Sequence, residues 1–345
     1  MVLFLGGMFV ERKQEHIENY LKSEYKGNNL LDCVYLEHTS LPEIDLNDVD
    51  LSMEFNGKKI DYPFMINAMT GGGDSCCDIN EDLARLCKTF NIPMAVGSQK
   101  IALVEPEAIE SFELVRENLT KNENIVIGNL SARESLESVK KSIKMIDADM
   151  FGLHLNPIQE LIMEEGDREF TGIKDNIKNI IQNTDIPIIV KEVGYGMNKK
   201  TVNELYDLGV RYIDIAGFGG TNFSEIEDNR RFDMEFSEFY CWGIPTAKIL
   251  IDLQDKPDDL FLIASGGIRT SIDIVKALVL GADMTAMSGE VLSYLMHGGY
   301  EFAKEFLDSL IYKLKMLMVM LGAKNISELR NIDYKVFGKL KEITE

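Results

Sequence analysis

No stretch of this sequence approaches the ~20 consecutive apolar residues that a membrane-spanning helix needs, although 45% of its 345 residues are hydrophobic. Cysteine is scarce: Cys33, Cys76, Cys77, Cys87 and Cys241 are the five. They show no metal-type spacing, and adjacent Cys76 and Cys77 cannot readily pair with each other. An odd count without a disulfide framework suggests a reducing, cytoplasmic setting. Met1 to Val10 is apolar but lacks a basic start and a convincing cleavage site, so no signal peptide is expected. Met8 is an alternative start, which would leave the first seven residues as an extension. Positive charge is also short. Thirty-six Lys and Arg against 57 Asp and Glu give a formal net charge of −21 and a pI near 4.7. Such a surface argues against nucleic acid and anionic membranes as partners. A phosphorylated ligand is compatible with it only where the site supplies its own cations. No low-complexity linker divides the chain, and its length suffices for one large core.

What is present is alternation. Apolar runs of strand length lie at Pro63–Ile66, Pro93–Val96, Ile125–Gly128, Met150–Leu155, Ile186–Lys191, Tyr212–Ile215, Leu260–Ala264 and Met284–Met287. Helical spacing lies between them, near 79–90, 105–119, 133–146, 173–183, 200–208, 243–255 and 271–280. Eight evenly spaced units favour a closed (β/α)8 TIM barrel over an open doubly wound sheet. A helix over Glu11–Tyr25 is expected in the lead, with Ile17, Tyr20, Leu21 and Tyr25 on one face. Another, over Tyr300–Leu321, is expected to close the chain. The organisation is then a barrel with an N-terminal extension and an extra C-terminal helix. Residues 1–60 form the extension and contribute to the active site, residues 61–345 form the barrel, and the whole is one domain.

Strand after strand ends in polar residues or glycine. The ends are Asn67-Ala68-Met69-Thr70 with Gly71–Gly73, Gly97-Ser98-Gln99, Gly128-Asn129, His154-Leu155-Asn156, Lys191-Glu192 and Ala216-Gly217 running to Thr221. Any one of these is explained by a strand-to-helix turn. Together they describe a ring of polar groups at the C-terminal mouth, where barrel chemistry sits. Ala264-Ser265-Gly266-Gly267-Ile268 and Ser288-Gly289 follow the last two strands and fit the usual barrel phosphate site. Taken alone, the first is equally a tight turn. Lys191, ending an apolar strand, is a Schiff-base nucleophile or a cation beside an electron-rich cofactor; the bland reading is a snorkelling lysine. Glu192, if it points inward, favours charged lysine and weakens the Schiff-base reading. Glu160 in the mouth loop could hold Mg²⁺ with water and phosphate oxygens, or be a solvated glutamate. Arg12 and Lys13, with His16 on the same helical face, form the densest cationic group, or a solvated face. The long loops Asn156–Gly172 and Gly217–Trp242 are candidate lids.

In this order the motifs resemble those of the type 2, FMN-dependent isopentenyl-diphosphate delta-isomerases. The matching stretches begin with Arg12-Lys13-Gln14-Glu15-His16-Ile17, Asn67-Ala68-Met69-Thr70-Gly71-Gly72, Val96-Gly97-Ser98-Gln99 and Gly128-Asn129-Leu130. They continue with His154-Leu155-Asn156-Pro157, Gln159-Glu160, Lys191-Glu192-Val193-Gly194, Asp214-Ile215-Ala216-Gly217, Gly220-Thr221-Asn222, Trp242-Gly243-Ile244-Pro245-Thr246 and Ser265-Gly266-Gly267-Ile268-Arg269. Phe223 stands where the family often has tryptophan. The resemblance implies FMN held by Ala68, Met69, Thr70, Ser98, Asn129, Lys191, Ala216 and Thr221, with its phosphate on Gly266, Gly267, Ile268, Ser288 and Gly289. It implies a diphosphate substrate met by Arg12, Lys13, His16, His154, Asn156 and Gln159, and Mg²⁺ on Glu160. It also implies NADPH as reductant and a homo-oligomer, tetramer or octamer. The implied reaction interconverts isopentenyl and dimethylallyl diphosphate in isoprenoid biosynthesis. Reduced FMN is the acid and base, supported by Lys191 and His154. The alternatives are another FMN barrel oxidoreductase, acting on a hydroxy acid or nucleotide, and a non-catalytic phosphate-ligand barrel.

Overall fold

The computed structural model describes residues 15–23, 27–230 and 234–345, and eight parallel strands close into a barrel within it. The strands are β1 (Phe64–Ile66), β2 (Met94–Ala95), β3 (Val126–Ser131), β4 (Met150–His154), β5 (Ile188–Lys191), β6 (Tyr212–Asp214), β7 (Phe261–Ala264) and β8 (Met284–Met287). Each pairs with the next, and β8 returns to β1 through Thr285–Phe64, Ala286–Met65 and Met287–Ile66. Closure rules out the open sheet. These strands are continuous apolar runs because both their faces are covered, one by the barrel interior and the other by helices.

The covering helices are α1 (Asp74–Phe90), α2 (Glu110–Asn118), α3 (Leu136–Met145), α4 (Ile173–Gln182), α5 (Lys199–Asp207), α6 (Thr246–Asp252), α7 (Ser271–Val279) and α8 (Gly289–Leu321). Their starts carry side-chain caps where the sequence offers them. Ser135 accepts from the Ser138 amide before α3, Asn198 from the Thr201 amide before α5, and Thr270 forms a capping box with Asp273 at α7. α8 opens at Ser288-Gly289, where the sequence places a helix start, and runs into the expected Tyr300–Leu321 helix across a break at Gly299, whose φ is 73°. It does not close the chain. Ile326–Leu329, the strand Tyr334–Val336 and the helix Gly338–Thr344 follow, and Tyr334–Val336 pairs antiparallel with Val34–Leu36 of the extension. Residues 15–22 are helical, with Ile17 and Tyr20 against the core and Leu21 exposed; the other positions of the expected Glu11–Tyr25 helix lie partly outside the described residues.

The barrel interior is a packed core rather than a pore. Met65, Ala95, Ile127, Met150, Ile189, Ile263, Met284 and Ala286 fill it. Its N-terminal end is stoppered by the antiparallel hairpin Met53–Phe55 and Lys58–Ile60. The buried Phe55 ring packs there on Phe261 and Tyr212, at centroid separations of 5.1 and 6.0 Å. With that end plugged, the period-2 alternation of the strands carries the inward positions to polar residues only at the opposite end. Among the described residues no helix is long and apolar enough to cross a membrane.

Phe55→Ala should cost about 3–5 kcal/mol, because the hairpin cannot collapse into the space left between two barrel strands. Urea unfolding checks this, and a loss under about 1 kcal/mol would show that the hairpin is not part of the core.

Candidate active site

One row of residues defines the floor of the mouth. The parallel register sets Ser131 beside His154, His154 beside Lys191, and Lys191 beside Asp214. Asp214 is buried and fully employed. Its Oδ2 accepts from Asn67 Nδ2 at 2.7 Å, and its Oδ1 accepts from the Ser265 hydroxyl at 2.5 Å and the Ala216 amide at 3.2 Å. Lys191 Nζ lies 3.9 Å from Asp214 Oδ2 and donates to the Glu192 carbonyl at 2.6 Å. A buried ammonium needs a nearby negative charge, and Asp214 supplies it. One carboxylate thereby ties the ends of β1, β5, β6 and β7 together. Beside them Asn129 Oδ1 lies 3.1 Å from His154 Nδ1, and buried Gln99 fixes the Asn129 amide through its Oε1 at 3.0 Å.

Glu192 points away from Lys191. Its Oε2 accepts four amides, those of Val193, Gly194, Tyr195 and Gly196, at 2.6–3.0 Å. The sequence reading allowed it to face the lysine; strand alternation turns it instead into the β5–α5 turn, which it organises. Burial pushes this carboxyl up to about 7, against the pull of those four donors.

The loops after β7 and β8 form the phosphate cradle. Gly266 and Gly267 hold φ values of 96° and 78°, a region closed to most side chains. A Cβ at Gly266 would fall 1.9 Å from the Gly217 carbonyl oxygen, and one at Gly267 would fall 2.5 Å from that of Gly219. The pair is therefore needed first so that the β7 loop can lie on the β6 loop. Asn29 of the extension buttresses the cradle, donating to the Gly267 carbonyl at 2.6 Å. Ala216, at φ 35°, is a non-glycine residue in the left-handed region at the end of β6, the kind of strain that collects at functional sites.

Two loops wall the mouth. The β4 loop contains the short helix Pro157–Ile162, and the β6 loop contains Phe223–Asp228. Asn156 Nδ2 donates to Gln159 Oε1 at 3.2 Å and Glu160 Oε1 at 3.0 Å, while Glu160 Oε2 accepts the Asp167 amide at 2.8 Å. Gln159 Nε2 reaches Glu227 Oε1 at 3.4 Å. Arg230 joins three segments, contacting Glu227, Glu15 (2.8 Å) and Glu165 (3.1 Å). His16 Nε2 stands 2.9 Å from Glu227 Oε1, at ion-pair distance but without hydrogen-bond alignment. Burial raises the Glu227 carboxyl, and His16 and Arg230 outweigh that to hold it below the ordinary carboxylate range.

The mouth encloses one cavity of about 460 Å³, well within the range of cofactor sites. Ala68, Met69, Ser98, Asn129, Lys191, Ala216 and Thr221 line it, as do Gly266, Gly267, Ile268, Ser288 and Gly289 of the cradle. His16, His154, Asn156, Gln159 and Glu160 line it at the walls. Thr70 does not: its hydroxyl is turned 2.9 Å from Cys76 Sγ in α1, and only its carbonyl serves the mouth, accepting the Gly97 amide. Arg12 and Lys13 lie outside the described residues. Among the described residues no group of three or more His, Cys, Asp or Glu is arranged to hold a metal, so Glu160 could hold Mg²⁺ only together with ligand oxygens. Asp214, Gln99, Asn29, Glu227 and Arg230 were given no role from sequence. Asp214 carried the same signal as Lys191, a charged residue ending an apolar strand. Gln99 was marked only as part of the polar end Gly97-Ser98-Gln99, and nothing local marks the other three.

A closed parallel barrel with a polar mouth and a glycine cradle on its last two strands defines an FMN-type barrel, and residues 112–334 match the FMN-dependent dehydrogenase family. Solved structures agree on the fold. A flavocytochrome b2 variant superposes with TM-score 0.69 over 96% of this chain and 85% of its own, at 19% identity. A mandelate oxidase variant does so with TM-score 0.61 over 94% and 92%, at 15% identity. Sequence brings other relatives much nearer. The isopentenyl-diphosphate delta-isomerase of Listeria innocua is 41% identical over 332 residues, covering 95% of this chain and 92% of the relative. That of Geobacillus sp. is 40% identical over 329 residues, covering 95% and 93%. The chain belongs to the isopentenyl-diphosphate delta-isomerase family.

Glu192 generates a pH prediction. The folded state holds its proton more tightly than the unfolded chain, whose carboxyl sits near 4.5. Its contribution to stability is therefore full below about 4.5 and is lost as pH rises through about 7. Glu192→Gln cannot titrate, so the gap in urea midpoint between wild type and variant should move against the wild type across that window. A gap that is flat with pH would contradict the assignment.

Proposed function

We propose that the chain interconverts isopentenyl and dimethylallyl diphosphate on bound FMN, as an enzyme of isoprenoid biosynthesis. The observation that carries this is the continuity of one cavity from the Lys191–His154 floor to the Gly266–Gly267 and Ser288–Gly289 cradle. A phosphate-bearing cofactor fits that shape: a glycine-lined cradle at the start of α8 takes the phosphate, and a neutral and cationic floor takes the ring system. Family membership supplies the substrate.

Moving a double bond requires a proton added at one carbon and another removed elsewhere. An alkene is a weak base, so positive charge developing on it must be stabilised. Reduced FMN, when bound, supplies the electron-rich face and the proton-exchanging N5 region for this. The chain's residues do the rest. Lys191 places a positive charge at the floor, where it favours an anionic reduced cofactor, and Asp214 keeps that charge in place. His154 and Gln159, with Arg12, Lys13, His16 and Asn156, meet the substrate diphosphate. Local cations are required because a net charge of −21 repels an anionic substrate. Glu160 would hold Mg²⁺ brought in with the diphosphate. The lids shared by Glu227, Arg230 and Gln159 keep water from the developing charge. NADPH as the reductant, a homo-oligomeric state and a cytoplasmic location complete the reading, carried over from the family resemblance.

The test is anaerobic incubation of FMN-loaded protein with Mg²⁺ and isopentenyl diphosphate in deuterated water, followed by NMR. Dimethylallyl diphosphate carrying deuterium should form when the flavin is reduced and not when it is oxidised, with no change in the substrate's oxidation level. Unchanged substrate, or an oxidised or reduced product, would contradict the proposal.

A further inference from the structure

The helix over residues 15–22 crosses the cavity with two side chains on one face, His16 and Tyr20, four residues apart. His16 reaches the Glu227 end. Tyr20 reaches the other end, the phosphate cradle. A Cβ built on Gly289 would lie 1.9 Å from the Tyr20 hydroxyl oxygen and 2.1 Å from its Cζ. The phenol tip thus rests on the first residue of α8, beside Ser288. That helix start has no side-chain cap, whereas α7 has the Thr270 box. Arg269 and Glu290 stand nearby, with Nε and Oε1 3.6 Å apart. Burial pushes the Tyr20 phenol up to about 12, Glu290 adding to the rise and Arg269 opposing it. The group is therefore a neutral O–H donor throughout the physiological range. Among the described residues none accepts a hydrogen bond from it. A donor held at a phosphate cradle without an acceptor of its own is suited to a phosphate oxygen.

We propose that the Tyr20 hydroxyl donates a hydrogen bond to the phosphate of bound FMN, and that the N-terminal helix is thereby tied to the cofactor. This rests on the flavin reading above and adds a residue outside the barrel to the cofactor site. Because the same helix carries His16 toward the substrate end, docking it on one ligand favours the other, and the coupling is reciprocal. The size of position 289 is part of the arrangement, since any side chain there would displace the tyrosine.

Tyr20→Phe removes the hydroxyl and keeps the ring packing. Flavin-stripped full-length protein is titrated with FMN and, separately, with riboflavin, which has the same ring system and no phosphate. A hydrogen bond to a charged acceptor is worth roughly 10-fold or more in affinity, so the variant should lose about that factor for FMN while riboflavin binding stays unchanged. FMN affinity that is unchanged or tighter in the variant, with wild type binding FMN normally, would overturn this inference alone. Equal weakening toward both flavins would also overturn it, because the ring and not the phosphate would then be what Tyr20 serves. Wild-type protein that binds neither flavin would overturn the functional reading and this inference with it.

Discussion

The mouth of this barrel depends on a single buried carboxylate. Asp214 has no solvent to satisfy it, and an isolated charge at that depth would cost several kcal/mol. It is stable there because Asn67, Ser265 and the Ala216 amide donate to it and Lys191 supplies the opposite charge. The consequence is geometric. Four strand ends that meet only through backbone ladders elsewhere are fixed to one another at the level where the ligand sits. Lys191 is held as a charged group at the end of an otherwise apolar strand. His154 and Asn129 complete the same layer, with Gln99 behind them. Lys191 Nζ is engaged by the Glu192 carbonyl and faces the Asp214 carboxylate, an arrangement that suits a fixed cation beside a cofactor.

A second constraint acts from outside the barrel. The segment before β1 is not an appendage. Its hairpin stoppers the barrel's N-terminal end through Phe55, its Asn29 props the phosphate loop, and its helix over residues 15–22 lies across the cavity. Arg230 joins that helix to both mouth loops through Glu15, Glu165 and Glu227. The three carboxylates come from separate stretches of chain, so this one cation makes the closed arrangement cooperative. In so acidic a protein, placing a cation where three loops meet also lowers repulsion at the mouth.

The strands were legible because buried parallel strands are short apolar runs, and the covering helices because one stripe of each is apolar. The site was legible where a strand end broke its own pattern: Lys191, His154, Asn129 and the Gly266–Gly267 pair all show this. Long-range partnerships were not legible. Glu227 and Arg230 are ordinary charges in a charged loop, and only folding brings them to Gln159 and Glu15. Thr70 reads as a mouth residue from its neighbours, but its hydroxyl is claimed by Cys76. Glu192 and Lys191 are adjacent in sequence and face opposite ways, which alternation could have indicated. The helix start at Ser288-Gly289 and the helix over Tyr300–Leu321 were both legible, and the structure joins them across the non-helical Gly299.

The claim at the centre of this account is that Asp214 maintains a positive Lys191 at the floor so that a reduced, electron-rich flavin is favoured. The reduction potential of bound FMN, measured in wild type and Lys191→Met, tests it most directly. Loss of the cation should make the flavin harder to reduce, lowering the midpoint by on the order of 30 mV for each 1.4 kcal/mol of lost interaction in a two-electron couple. A midpoint that is unchanged or raised in a variant that still binds FMN would contradict it.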